Sequence, residues 1–208
     1  MDSTSPARRG MRGLRIFLWL LVALAAIAAV TLLFARGGQQ NDGDTANYAD
    51  SVGGPFELVT PDGRRFTDAD LKGKPFAIFF GFTRCPDVCP TTLTRLANLR
   101  EQLGEDGGKF EIVFVSVDQD QDSPADIGSY VALFDTPILG LTGSQEQIDA
   151  IVKAYHVFYR RIPLEGGDYT IDHTASVFLM DRAGRLQSII DHKESQDMAL
   201  AKLRRLVG

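Results

Sequence analysis

Both cysteines of this 208-residue chain lie in one short run, directly after a stretch with the composition of a buried strand. The apolar stretch extends from Phe76 to Phe82, Cys85 and Cys89 follow it, and leucines at helical spacing occupy Thr91 to Leu103. Thiols four residues apart fall on one face of the first turn of a helix. The pattern predicts a strand–helix junction whose thiols share a soft metal ion or close into a disulfide.

An apolar segment near the N-terminus divides the chain. Ile16 to Ala35 is a run of 20 residues without a charge, which matches the roughly 20 residues that cross a bilayer as a helix. The apolar core of a cleaved signal peptide is shorter, about 7–15 residues, so we expect a retained anchor. Basic residues stay on the cytoplasmic side, and four of them precede the segment: Arg8, Arg9, Arg12 and Arg15.

The composition predicts four regions along the chain. We expect a cytoplasmic basic segment at 1–15, a transmembrane anchor at 16–35, a polar glycine-rich tether at 36–53 and a folded domain at 54–208. The 15 residues before the anchor are too few for an organelle transit peptide. The expected location is therefore the bacterial inner membrane, with a single pass, the N-terminus in the cytoplasm and the domain in the periplasm or outside.

The charge balance limits the classes of binding partner that the chain can have. Beyond residue 15 the chain carries 18 basic and 26 acidic side chains, a net charge of −8. Nucleic-acid binding requires clustered lysine and arginine to meet the phosphates, so a nucleic-acid partner is excluded. In an oxidising compartment, two thiols form a structural disulfide, a redox pair or a metal site.

The order of predicted elements indicates an α/β domain with a thioredoxin-like fold. This fold has a mixed central sheet flanked by helices. An N-terminal hairpin around the Pro61-Asp62-Gly63 turn extends it. The predicted core elements are a strand at 76–82, a helix at 91–103, a strand at 110–117, helices starting at Ser123 and Ser144, strands at 138–141 and 157–162, a hairpin at 176–190, and a final helix after Ser195.

The two thiols favour a copper site over other metal centres. The N-terminus of a helix carries partial positive charge, which favours thiolate over thiol. Thiolates select Cu(I), zinc or iron–sulfur clusters. An iron–sulfur cluster requires four cysteines and structural zinc requires four protein ligands. Two thiolates with one imidazole therefore point to copper, which accepts few ligands.

His173 is the predicted third ligand. In a thioredoxin-like fold, the loop before the strand at 176–180 faces the cysteines, and Asp172-His173-Thr174 lies there. Asp172 is expected to fix the imidazole ring as an outer hydrogen-bond partner or to contact a docking partner. The other two histidines, His156 at a helix end and His192 in a polar turn, are interpreted as surface or core residues.

Two acidic features carry weaker predictions. Asp87, between the cysteines, either contacts the bound ion or a docking partner, or complements the helix dipole. The run from Asp118 to Asp122 imitates the start of a calcium loop, but it lacks the glycine and glutamate that such a loop requires. We interpret it as an acidic loop leading into a helix.

The chain resembles the Sco/SenC family from about Phe56 onwards. The residues that carry the resemblance are Gly81 to Pro90 with both cysteines, Ser116-Val117-Asp118, and Asp172-His173-Thr174. The resemblance implies a thioredoxin-like fold and a copper site formed by Cys85, Cys89 and His173. It also implies a role in assembling the binuclear copper centre of cytochrome c oxidase subunit II.

Three functional hypotheses follow. The first is a membrane-tethered copper chaperone, and so not an enzyme, that takes Cu(I) or Cu(II) from a periplasmic donor and passes it to subunit II. The second is a thiol–disulfide reductase in which Cys85 and Cys89 keep the acceptor cysteines reduced. The third is a redox or copper sensor. Ligand transfer requires His173, whereas dithiol exchange requires only the cysteines.

Overall fold

A computed structural model describes residues 7–37 and 48–208. Contacts divide the chain into two units, residues 1–47 and 48–208. The predicted basic segment lies partly, and the predicted tether mostly, outside the described residues. The second unit begins at Tyr48, before the boundary predicted at Gly54, because residues 48–51 form a helical turn and Val52 is buried.

Helix α1 (Ala7–Gly37) accounts for the described part of the first unit. Its segment Arg15–Leu32 has a mean hydropathy of 2.3, and none of that segment is buried. Trp19 and Leu24 are about three-quarters exposed. A helix that is apolar all round requires an apolar environment. By length and composition, α1 is suited to crossing a membrane.

The core of the second unit is a five-stranded mixed sheet, as predicted. Its central strand β3 is buried along its whole length, which explains its unbroken apolar sequence. It pairs in parallel with β4 and antiparallel with β8, and the strand order is β5-β4-β3-β8-β9. The five strands are β3 (Phe76–Gly81), β4 (Glu111–Ser116), β5 (Leu139–Leu141), β8 (Val177–Met180) and β9 (Leu186–Ile190).

Besides the helical turn at residues 48–51, four α-helices and two short 3-10 helices, Asp68–Leu71 and Gly104–Lys109, lie within residues 52–208. The serines predicted to start helices do so: Ser123 and Ser144 each form a capping box, and the Ser195 hydroxyl accepts from the backbone N–H of Met198. Helix α2 begins earlier than predicted and therefore includes Cys89 in its first turn. The α-helices are α2 (Val88–Gln102), α3 (Pro124–Val131), α4 (Gln145–Ala154) and α5 (Gln196–Val207).

Two hairpins lie outside the main sheet. The first, β1 (Glu57–Val59) with β2 (Arg65–Thr67), is the predicted N-terminal extension. The second joins β6 (Tyr159–Pro163) to β7 (Tyr169–His173) as a two-stranded sheet of its own. The sequence predicted a strand near β6 but missed β7, so His173 ends a strand where a loop was expected. We call β6, β7 and their turn the histidine hairpin.

Candidate metal centre

The two cysteines lie between the central strand and helix α2. Cys85 is in the loop that joins β3 to α2 and is partly exposed, while Cys89 is in the first turn of α2 and is buried. The loop, residues 82–87, is called the cysteine loop below. Pro90 fits the first helical turn, where a backbone N–H has no partner to lose. The two cysteines, four residues apart, thus lie in adjoining elements: Cys85 in the loop and Cys89 in the helix.

Gly81, the last residue of β3, makes room for the buried sulfur. A Cβ atom at this position would lie 2.6 Å from Sγ of Cys89 and 3.0 Å from Cε2 of Phe114. The first separation is shorter than atoms in contact tolerate, and the second is tighter than an ordinary contact. The glycine thus lets the Cys89 sulfur lie directly against the backbone of the central strand.

The sulfur atoms differ in their tendency to ionise. A hydrogen bond from the Cys89 side chain is the largest factor that lowers the pKa of Cys85 to about 4, with further help from the backbone N–H groups of Cys89 and Asp87. The N–H of Cys89 lies 3.4 Å from Sγ of Cys85. The same shared proton, together with burial, raises the pKa of Cys89. At neutral pH the metal-free, reduced site therefore holds one thiolate and one thiol.

His173 presents a ring nitrogen to these sulfurs. Its Nε2 lies 3.5 Å from Sγ of Cys89, and its Nδ1 lies 3.0 Å from the carbonyl oxygen of Thr174. A carbonyl only accepts hydrogen bonds, so in the neutral ring Nδ1 carries the proton and Nε2 has the free lone pair. The rings of Phe79 and Phe82 meet the imidazole edge-on, with centroids 6.0 and 5.9 Å away. The ring is thus turned with its ligating nitrogen towards the cysteines.

The structure brings the three residues together in one cluster. The sulfurs of Cys85 and Cys89 and a ring nitrogen of His173 all lie within 4.8 Å of one another. Metal–sulfur and metal–nitrogen bonds of about 2.0–2.3 Å span such a cluster after small side-chain movements. Three donors with two sulfurs fall short of the four ligands of structural zinc or an iron–sulfur cluster, but they suit copper.

Asp172 does not take the role expected from the sequence. Successive residues of a strand point to opposite faces, so its carboxylate is directed away from the ring of its neighbour His173. It lies 3.6 Å from Arg160 instead, in a pair whose side chains are both more than half exposed. The Thr174 carbonyl supplies the hydrogen bond that orients the ring. The expectation failed because it treated residues 172–174 as a loop.

The remaining candidates lie outside the cluster. Asp87 is exposed at the N-cap position of α2, and its carboxylate accepts from the Thr91 hydroxyl at 3.2 Å. Nε2 of His156 lies 3.0 Å from the carbonyl oxygen of Ser51. His192 is in the turn before α5, where its carbonyl oxygen accepts from Arg95.

A set of charged residues beside the site was missed by sequence reasoning. Asp118 and Asp122, taken above as members of an acidic loop, are buried. They contact Arg84 and Thr83 of the cysteine loop, and Asp118 also contacts Tyr169 of the histidine hairpin. Their spacing of four, just after a buried strand, was the available indication, but their partners are distant in sequence.

Comparison with known proteins identifies the family. The SCO1/SenC family profile matches residues 44–208, which is most of the chain. The chain belongs to the SCO1/SenC family. The Sco/SenC resemblance seen in the sequence is therefore confirmed.

Individual relatives agree with this assignment. The chain is 39% identical over 140 residues to the mitochondrial SCO1 homologue 1 of Arabidopsis thaliana and 41% identical over 138 residues to SenC of Rhodobacter capsulatus. These matches cover 67% and 66% of this chain, but only 42% and 62% of the two relatives. The chain thus spans less than two thirds of either protein.

A solved structure confirms the predicted fold. ScoI of Bradyrhizobium japonicum, whose structure has copper bound, is 42% identical to this chain. It superposes with a TM-score of 0.69, covering 74% of this chain and 99% of that protein. The SCO1/SenC domain of this chain thus has the thioredoxin-like architecture expected from its sequence.

Proposed function

We propose that this SCO1/SenC protein binds one copper ion through Cys85, Cys89 and His173 and delivers it during assembly of cytochrome c oxidase. The observation that carries the proposal is the convergence of two sulfurs and one imidazole nitrogen within 4.8 Å. The copper-bound structure of the Bradyrhizobium relative supports the choice of metal. The family resemblance supports subunit II of the oxidase, with its binuclear copper centre, as the acceptor.

The protonation states at the site suit uptake of the cargo. Ligands must be deprotonated before they bind a metal. The lowered pKa of Cys85 makes it a thiolate in advance, and the hydrogen bond from Nδ1 of His173 to Thr174 leaves Nε2 free. Of the two sulfurs, only Cys89 still carries a proton to lose. Uptake of a copper ion therefore releases about one proton near neutral pH.

Release to an acceptor proceeds by exchange of ligands. Cys85 is the more exposed sulfur, so an incoming acceptor thiolate reaches the ion from its side and replaces it first. Cys89 and His173 follow as further acceptor ligands arrive. Asp87 is exposed between the cysteines, and we assign it a contact with the docking partner.

The N-terminal helix supports a transfer that takes place at a membrane. Its length, composition and exposed apolar surface support a single-pass anchor in the bacterial inner membrane. The basic residues before it support a cytoplasmic N-terminus and a periplasmic domain. The copper donor is then a periplasmic protein.

A second candidate function is reduction of the acceptor's disulfide. An ionised, partly exposed Cys85 beside a buried Cys89 has the features of an attacking and a resolving thiol. The Cys85 thiolate would attack the acceptor disulfide and release one acceptor thiolate. Cys89, after losing its proton, would attack Cys85 and release the second. The acceptor gains two electrons, and a Cys85–Cys89 disulfide forms.

Complementation of a deletion strain separates these functions. Oxidase activity is measured with the parent chain, with His173→Ala, and with His192→Ala as a matched control. Copper delivery predicts that His173→Ala fails, that His192→Ala succeeds, and that added copper rescues the deletion. Full activity with His173→Ala and rescue by a chemical reductant instead of copper would favour the reductase. An oxidase that is indifferent to the deletion would favour a sensor.

A further inference from the structure

The cysteine loop and the histidine hairpin are joined by a buried carboxylate that belongs to neither. Asp118 follows β4 and is wholly buried. Its Oδ2 lies 3.2 Å from Nη2 of Arg84, the residue next to Cys85. Its Oδ1 accepts from the Tyr169 hydroxyl at 2.6 Å and lies 3.7 Å from Nη2 of Arg161. One oxygen therefore contacts the cysteine loop and the other contacts the histidine hairpin.

The hairpin residues that contact Asp118 lie on the strand that carries His173 and on the strand paired with it. Tyr169 and His173 are the two ends of β7 and point to the same face, since they are four residues apart in a strand. Arg161 pairs with Ile171 in the neighbouring strand. Holding Tyr169 and Arg161 in place therefore holds the strand that carries the imidazole.

Two further interactions close the link around Asp118. Two guanidinium groups lie over the Tyr169 ring, with Arg84 at 5.1 Å and Arg161 at 4.8 Å from the ring centroid. Arg84 also reaches Asp168 in the hairpin turn at 3.2 Å. We call Asp118, Arg84, Arg161 and Tyr169 the bridging cluster.

Because Asp118 is buried, both oxygens of its carboxylate need partners. A carboxylate removed from water is costly unless every oxygen is paired, and removing one partner leaves an uncompensated buried charge. Asp118 is satisfied only when the cysteine loop and the hairpin are both in place. A hairpin displaced from the cysteines would deprive Oδ1 of Tyr169 and Arg161 together.

We propose that Asp118 is a positioning residue that sets how strongly His173 contributes to metal binding, by fixing the histidine hairpin over the cysteine loop. The inference rests on the proposed copper site. Asp118 contacts no ligand atom; it acts through Arg84 on one side and through Tyr169 and Arg161 on the other. Its effect on copper binding should therefore depend on the presence of His173.

Asp122 provides a matched control from the same loop. It is also buried, but its three partners lie on the cysteine side alone: the backbone N–H of Thr83 at 2.9 Å, the Thr83 hydroxyl at 2.5 Å and the Ser116 hydroxyl at 2.5 Å. Asp122 supports the cysteine loop and does not bridge to the hairpin. Its effect on copper binding should be the same with or without His173.

The test is a double-mutant cycle on the full chain in detergent, titrated anaerobically with Cu(II) against a competing chelator. Asp118→Asn replaces one carboxylate oxygen with an amide that donates, so a donor must face either Arg84 or the pair Tyr169 and Arg161. We expect it to weaken binding about tenfold in the parent chain, the scale of a lost outer partner. In the His173→Ala background we expect less than about a twofold change.

Spectroscopy and a milder variant keep the test decisive. Asp118→Asn should weaken the nitrogen hyperfine structure of the Cu(II) paramagnetic resonance signal, which a general loss of stability does not change selectively. Tyr169→Phe removes only the hydroxyl that donates to Asp118 and retains the ring. We expect it to weaken binding about threefold with His173 present and not without it. It decides the question if Asp118→Asn does not fold.

The outcomes separate the two proposals. If His173→Ala alone leaves copper affinity unchanged, the ligand assignment fails and this inference falls with it. If His173→Ala weakens binding while folded Asp118→Asn and Tyr169→Phe do not, only the inference is overturned. Equal losses for Asp118→Asn in both backgrounds, as expected for Asp122→Asn, would also overturn it.

Discussion

The proposed sulfur ligands and the proposed imidazole ligand are held by different kinds of structure. Cys89 is buried in the first turn of α2, against the central strand of a five-stranded sheet. His173 ends a strand of a separate two-stranded sheet. The hairpin turn is linked to the cysteine loop by a pair between Arg84 and Asp168, whose side chains are 37% and 63% exposed. Cys89 rests on apolar packing, whereas the histidine hairpin is tied to the cysteine loop largely by charged contacts.

The difference indicates how a site can both hold and release an ion. Apolar packing is dense and yields little to local change, whereas exposed ion pairs contribute about 0–1 kcal/mol each and are screened by salt. The cysteine side is therefore a fixed platform for the ion. The histidine side is the adjustable half, and Asp118 is its buried anchor point. Exchange begins at the more exposed Cys85, and an adjustable histidine side lets His173 follow.

The largest effect on copper affinity should come from replacing a proposed sulfur ligand on the cysteine side. Cys89→Ser replaces a thiolate with a hydroxyl that stays protonated, so we expect copper affinity to fall by at least about 1,000-fold, or roughly 4 kcal/mol. Chelator competition measures the affinity, and thermal melting verifies that the variant folds. Binding within tenfold of the parent chain would show that Cys89 is not a ligand.

A steric change tests the same side without touching a ligand. Gly81→Ala places a Cβ 2.6 Å from Sγ of Cys89, so the free energy of unfolding should fall by about 1–3 kcal/mol, as in other overpacked cores. Copper affinity should fall about tenfold because the sulfur is displaced. Gly108→Ala is the matched control, since a Cβ there meets nothing within 4 Å. Equal stability of the two variants would contradict the account of close packing at Gly81.

The next prediction tests the difference in pKa between the two sulfurs of the cysteine side. With the pKa of Cys85 lowered to about 4, its thiolate persists until the pH falls towards that value. Alkylation of Cys85 by iodoacetamide in the metal-free, reduced protein should vary little between about pH 5.5 and 8. Cys89→Ala removes the largest cause of the lowered Cys85 pKa. In that variant the alkylation rate of Cys85 should therefore rise steeply over the same pH range. A steep rise in the parent chain would contradict the thiolate assignment.

The smallest effect is expected on the exposed face of the histidine hairpin. Asp172→Asn removes a solvent-exposed pair with Arg160, so stability should change by less than about 0.5 kcal/mol and copper affinity by less than about twofold. Urea unfolding and chelator competition measure the two quantities. A tenfold loss of affinity would restore the role expected from the sequence and displace the Thr174 carbonyl as the group that orients the ring.

Much of the fold could be predicted because its determinants are local in sequence. The unbroken apolar run of β3 indicates a central strand, and Ser123, Ser144 and Ser195 mark helix starts through their own caps. Strand β7 was missed although Tyr169 to Asp172 alternates between apolar and polar residues, because residues 172–174 were assigned to the loop before the strand at 176–180. That omission led directly to the misplaced role of Asp172.

The site could be predicted where its residues share one motif or where the expected fold brings them together. Cys85 and Cys89 stand together in the sequence, and the expected thioredoxin-like fold supplied His173. The bridging cluster could not be found in the same way, because Arg84, Asp118 and Tyr169 are separated by 34 and 51 residues. In a single sequence, scattered charged residues are interpreted as solvent-exposed, because nothing local shows which of them the fold will bury.

X-ray absorption at the copper edge tests the central claim most directly. The full chain carrying one copper ion should show two sulfur ligands and one imidazole nitrogen. The imidazole scattering should disappear in His173→Ala and persist in His192→Ala. An imidazole contribution that is absent from the parent chain, or unchanged in His173→Ala, would contradict the three-ligand site.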